Sequence, residues 1–145
     1  MKKSIRKVVC SMLAVCLVVG LMCGFTSETR SSAYISLYRS TLTPVGNGKI
    51  DVLVDVSGCG YMAEIGAKKI VIYESTNNIS FSKVATYTCE DYDNMISSGT
   101  IYFDTPITHK GVVGRYYMAE VSCYAGNGTT GDTRTYTTAS VRAIA

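Results

Sequence analysis

From Tyr34 onward, apolar and polar residues alternate along much of the chain. The clearest case is Lys49 to Ser57, where Ile50, Val52, Val54 and Val56 fall on one side and Asp51, Asp55 and Ser57 on the other. A period of two is that of an extended strand with one buried and one solvated face. Leu53, on the polar side, is the exception. Six further segments read as strands. Ala33–Thr43 ends at Pro44. Ala67–Glu74 sets Ile70 and Ile72 against Val71 and Tyr73, and two apolar faces predict a central strand. Ser80–Thr88 and Ser98–Thr105 follow, the latter stopped by Pro106. Arg115–Ala125 sets Tyr117, Ala119, Val121 and Cys123 against Tyr116, Met118, Glu120 and Ser122, and Thr133–Val141 closes the set. Turn-forming stretches separate them: Gly46-Asn47-Gly48, Ser75-Thr76-Asn77-Asn78 and Gly126 to Asp132. Val, Ile, Thr and Tyr, which suit a pleated surface, make up 45 of the 112 residues from Tyr34 on. No stretch keeps helical spacing for three turns. The expectation is one all-β domain over 34–145, a seven-stranded antiparallel β-sandwich, with a small barrel as the alternative.

The first 33 residues follow a different rule. Lys2, Lys3, Arg6 and Lys7 open the chain without an acid, and an apolar run extends from Val8 to Phe25. Ser31-Ser32-Ala33 supplies small residues at −3 and −1 before Tyr34. These are the three parts of an export signal, so residues 1–33 are expected to be a cleavable signal helix and the protein secreted, or held at the cell surface. The alternative is an uncleaved anchor, since a run of 18 residues, broken by Ser11 and Gly20, approaches the length that spans a bilayer. Met22 before Cys23 is too large for a lipidation box.

Charge divides at the same point. The whole chain is formally +3. Residues 1–33 hold five bases and one acid, whereas residues 34–145 hold nine bases and ten acids. The expected mature domain therefore has no net positive field for nucleic acid, and membrane contact is expected only through the leader. Cys10, Cys16 and Cys23 lie in the leader. Cys59, Cys89 and Cys123 remain, an odd number that allows three alternative single bridges or none.

Candidate chemistry is sparse. His109 is the single histidine, which rules out multi-histidine metal motifs. It sits in Pro106-Ile107-Thr108-His109-Lys110-Gly111, read as a solvent-facing turn. Glu90, Asp91, Asp93 and Asn94 bring four oxygen-bearing side chains into five residues, the best cation candidate, although the glycine and distant glutamate of a calcium loop are missing. Asp51 and Asp55 would lie about 13 Å apart on an exposed strand face, too far for paired glycosidase carboxylates. Gly58-Cys59-Gly60 and Gly126-Asn127-Gly128 lack the strand–loop–helix setting of a phosphate cradle. No cofactor is expected. Eleven tyrosines stand beside three phenylalanines and no tryptophan. Tyr92, Tyr102, Tyr116 and Tyr124 are the tyrosines expected at the surface, where this side chain suits recognition.

Gly114-Arg115-Tyr116-Tyr117-Met118-Ala119-Glu120-Val121-Ser122-Cys123-Tyr124-Ala125-Gly126-Asn127-Gly128 resembles strand F and the F–G loop of fibronectin type III domains. Tyr117 stands where that family has a corner tyrosine whose hydroxyl ties the strand start to nearby backbone. The immunoglobulin pattern fits less well, having a tryptophan and a second-strand cysteine that this chain lacks. Gly46-Asn47-Gly48-Lys49, Glu64-Ile65-Gly66-Ala67, Ile72-Tyr73-Glu74 and Arg134-Thr135-Tyr136-Thr137-Thr138 together resemble an uncharacterised family of small exported proteins of Gram-positive bacteria, which implies export and a sandwich and adds no active site. The fibronectin-like resemblance implies that Cys59, Cys89 and Cys123 gather at one pole, with Cys59–Cys123 the favoured bridge. It also implies that His109 lies at the other pole. The alternative for Cys123, on the apolar face of its strand, is a buried thiol.

These readings favour a non-enzymatic exported module that binds a protein or glycan through loops at one pole. The candidate surface is Asn127, Thr129, Thr130 and Asp132. A secreted antagonistic, toxin-like protein and a hydrolase with an acidic site near Glu90–Asp93 are the alternatives.

Overall fold

A computed structural model describes residues 32–145 of the chain. The expected signal over residues 1–33, with Cys10, Cys16 and Cys23, lies outside the described residues except for Ser32 and Ala33, which belong to the same compact unit as the rest.

The fold is all-β and antiparallel, consistent with a β-sandwich. One sheet takes β1 (Ile35–Gly46), β2 (Lys49–Met62) and β6 (Thr100–Lys110) in the order β1-β2-β6. The other takes β3 (Glu64–Ser75), β4 (Ser82–Thr88), β7 (Tyr116–Gly126) and β8 (Gly131–Thr137) in the order β4-β3-β7-β8. Two-residue strands complete it: β5 (Ile96–Ser97) on β3 and β9 (Val141–Arg142) on β7. A 3-10 turn at Asp93–Met95 leads into β5. The alternating residues of β2 and β7 carry the core. Val52, Val54 and Val56 from the first sheet meet Ile70, Ile72 and Val121 from the second in one buried cluster. β3 is central, between β4 and β7, and Val71 is buried on its second face as the double apolar pattern predicts.

Both prolines overturn the expected strand ends. β1 runs through Pro44 and β6 through Pro106, which pairs with Leu53. Proline cannot donate to a ladder, but β1 and β6 are the two edges of their sheet, where a missing N–H can face outward. β2 in turn continues past Ser57 to Met62 through a register shift. The expected last strand splits in two: β8 stops at Thr137, and Thr138, buried, closes the gap by donating its N–H to Ala119 O (2.9 Å) and accepting Ala119 N–H at Oγ1 (3.0 Å).

The register defines two poles. One gathers the start of β1, the end of β2, the start of β3, the end of β4 and the β7–β8 loop. The other gathers the β1–β2 turn, the end of β6, the start of β7 and the C-terminus.

Candidate functional site

The β7–β8 loop sits at the first pole and is built from its own polar groups. Asn127 Oδ1 accepts the N–H of Thr129 (3.0 Å) and of Thr130 (2.9 Å), and Asn127 N–H donates to Thr130 O (3.0 Å). This side-chain mimicry of a backbone turn fixes the loop tip. The hairpin below is covered by Tyr124, and its two glycines are fixed by backbone: a Cβ on Gly126 would lie 2.8 Å from Thr130 O and one on Gly131 2.7 Å from Ala125 O, so only glycine fits at either position. Lys68 stacks on the same ring, 4.3 Å from its centroid.

The loop is also tied to the segment that enters β1. Asp132 Oδ2 accepts from Ser32 Oγ (2.6 Å), Ala33 N (2.9 Å) and Tyr34 N (3.3 Å). The Ser32 hydroxyl leads in holding this carboxyl below the ordinary carboxylate range, with the two amides and nearby Arg134 adding to it. Tyr34 hydroxyl pairs with Thr130 Oγ1 and accepts from Asn127 Nδ2 (3.4 Å). Composition alone pointed to a turn-forming stretch; the structure ties it to the start of β1. Gly128, at φ +92°, leans on the β2–β3 corner, where its Cβ would lie 3.4 Å from that of Ala63. That corner presents Tyr61, 81% exposed, the residue that sequence reasoning missed. Its only signal was an apolar residue directly after Gly58-Cys59-Gly60, where the alternation of β2 breaks.

The other expected surface tyrosines divide. Tyr92 and Tyr102 are exposed, while Tyr116 and Tyr124 are half-buried beneath Arg142 and Lys68. Glu90, Asp91, Asp93 and Asn94 stay in an exposed turn, where Asp91 Oδ2 accepts from Thr88 Oγ1 (2.8 Å). Among the described residues no three His, Cys, Asp or Glu side chains converge to hold a metal ion, so the cation candidate is not assembled. Asp51 accepts from Thr108 Oγ1 (2.6 Å) and Asp55 pairs with Arg39 (3.0 Å), both on the outer sheet face.

Cys59, Cys89 and Cys123 do lie towards the first pole, but all three thiols are free. The expected Cys59–Cys123 bridge is not formed. Cys59 faces solvent on the register-shifted end of β2, whereas Cys123 points into the core from β7. Burial pushes the Cys123 thiol up to about 12, the inert buried state. Brief alkylation of the folded protein is therefore expected to label Cys59 and spare Cys123. Unfolding the secreted protein, freed of residues 1–33, without reductant should bring the labelled count to three, and a mass short by two labels would restore the bridge.

Neither a family model nor a curated protein matches the chain.

His109 corrects the expectation most. It lies within β6, not in a turn, and is buried at 8% exposure. Its Nδ1 shares a 2.8 Å hydrogen bond with the Tyr87 hydroxyl, and its ring lies 5.5 Å from that of Tyr117. Tyr117 accepts the Val112 N–H (2.8 Å) and donates to Glu74, which also accepts from Arg115 (3.1 Å). The ring of Tyr117 passes over Gly111, where a Cβ would come within 2.6 Å of it. Burial lowers the His109 pKa from 6.5, against the opposing pull of Glu74. The folded state therefore binds this proton less readily than the unfolded state. Stability is full above pH 6.5 and falls as the pH drops from there to the depressed native value. Denaturation midpoints between pH 8 and 5 should show this loss, with a slope of at most about 1.4 kcal/mol per pH unit from this group. His109→Gln should remove that component.

Proposed function

We propose that this chain is an exported, non-enzymatic module of fibronectin type III-like architecture that binds a protein or glycan at the pole formed by the β7–β8 loop and the β2–β3 corner. One observation carries the reading: a polar loop braced by Asn127, with Asp132 and Thr130 tied to Tyr34, lies against a corner that offers Tyr61 almost wholly to solvent. An aromatic anchor beside a pre-ordered polar loop lowers the entropic cost of binding, and tyrosine supplies both apolar area and a hydroxyl. The sheet order β1-β2-β6 facing β4-β3-β7-β8 and the bond from Val112 N–H to the Tyr117 hydroxyl support the fibronectin-like architecture. The charged start and apolar run before Tyr34 support export.

The test uses the full chain expressed with its leader in a secreting host. Protein recovered from the medium is titrated onto isolated cell wall and onto immobilised mucin glycans. Tyr61→Ala and Asn127→Ala are each expected to weaken retention about tenfold, the effect of losing one anchor. Tyr102→Ala, on the outer sheet face, should leave it unchanged. Retention that survives both pole variants would refute this surface.

A further inference from the structure

The second pole carries an exposed apolar tip. Val45, Val112, Val113 and Ile144 are 48%, 55%, 53% and 50% exposed. They come from three segments stitched together through backbone. Gly48 N–H donates to Ile144 O (2.9 Å), Gly111 N–H to Gly48 O (3.0 Å) and Gly114 N–H to Ala143 O (2.8 Å). Gly48, at φ +74°, leaves no room for a side chain, since a Cβ would lie 2.7 Å from Gly111 O and 3.3 Å from Val113 N. The tip is thus a fixed surface, and a fixed apolar cluster on a soluble domain marks a contact site.

Its rim is basic. Lys49 and Lys110 are paired across β2 and β6 at this end, and Arg142 lies beside Tyr116 at the start of β7. Lys83 and Arg115 share the pole, against Asp51 and Glu74, and Glu74 is taken up by Arg115 and Tyr117. The first pole has the opposite balance. Glu64, Glu90, Asp91, Asp93 and Asp132 outnumber Lys68, Lys69 and Arg134 there, and Tyr61 and Tyr92 are exposed beside them. The near-neutral net charge of the domain conceals this separation.

We propose that the basic, apolar pole docks on the acidic, tyrosine-bearing pole of a second copy of this chain. The complement to the apolar tip is displayed by the same molecule at its far end. Because the two surfaces differ, the contact is head-to-tail and does not close at a dimer. Opposite charges set the register and the apolar tip meets the exposed tyrosines. The inference goes beyond the proposed binding function: the two share Tyr61 and Asp132, but Glu90, Asp91 and Asp93 lie on the β4–β5 side of the pole and not on the β7–β8 loop.

Sedimentation of the exported protein tests it, up to about 1 mM protein, where weak contacts register. The average mass should climb past that of a dimer at low salt and return to monomer at high salt. Val112→Asp with Val113→Asp, Lys49→Glu with Lys110→Glu, and Glu90→Lys with Asp93→Lys should each weaken association about tenfold or more, with folding checked by thermal unfolding. The decisive arm is a mixture of the last two variants. Alone, each carries poles of like sign; together they should assemble again. A monomer at every concentration would overturn the proposal. So would a closed dimer insensitive to Glu90→Lys with Asp93→Lys, or a mixture that fails to recover. Binding of the monomer to phosphatidylglycerol vesicles without self-association would give the basic pole a different partner and would equally overturn it. Asn127→Ala separates this from the function proposed above, because loss of cell-wall or mucin retention with assembly intact leaves the head-to-tail contact standing.

Discussion

Gly66→Ala is expected to cost the domain about 3–5 kcal/mol of stability, by analogy with emptying a buried methionine site and straining the backbone around it. Gly66 sits at φ +148°, in the region that favours glycine, on β3 where Ile96 pairs with it. A Cβ there would lie 2.2 Å from Met95 O and 3.1 Å from Ile96 Cα. Both are backbone atoms, so no rotamer can give way. The 3-10 turn and β5 must move off β3, and that turn places Met95, fully buried, in the core. Urea denaturation followed by circular dichroism measures the loss, and Met95→Ala should reproduce about 2–5 kcal/mol of it without the clash. A Gly66→Ala midpoint close to wild type would show that the turn moves freely and that Met95 contributes little.

The contrast between Gly66 and β2 shows what a sequence can disclose. Alternation is a property of each strand alone, so Ile50, Val52, Val54 and Val56 declare their buried face, and Tyr117, Ala119, Val121 and Cys123 declare theirs. What depends on a second segment stays hidden. Gly66 lies just before the strand expected from Ala67, and nothing marks it until Met95 O is placed against it. Pro106 reads as a strand end because ladder position is not written locally, and only the sheet order shows that β6 is an edge. His109 then follows as an error of the same kind. Ending the strand at Thr105 put a core residue in a turn.

The candidate site was half legible for the same reason. Asn127, Thr129, Thr130 and Asp132 stood out as a turn by composition. Their tether did not, because it joins residues about a hundred positions apart, Ser32 and Tyr34 with Asp132 and Thr130. Tyr61 was missed because β2 was expected to end before it. Charge shows the limit most plainly. A count gave a nearly neutral domain, and only the register separates Lys49 and Lys110 from Glu90 and Asp93.

Tyr117→Phe is the second large effect, with an expected loss of about 2–3 kcal/mol and a fall in Tm of roughly 10 °C. The substitution keeps the ring over Gly111 and beside His109, so packing is retained and the measurement reads the hydroxyl alone. That hydroxyl accepts from Val112 N–H (2.8 Å) and donates to Glu74. Without it, Val112 N–H loses its protein partner and Glu74 is left with Arg115 in the corner (3.1 Å), and orphaned partners in a partly buried setting cost more than the bond itself contributes. Glu74→Gln in the same background should show a coupling of about 1 kcal/mol or more in a double-mutant cycle, since the two groups touch. The corner also holds residues 111–114 in place, and those residues present Val112 and Val113 at the basic pole. Tyr117→Phe should therefore weaken head-to-tail assembly at temperatures where the variant is still folded. A variant that loses stability but assembles as wild type would separate the corner from the apolar tip.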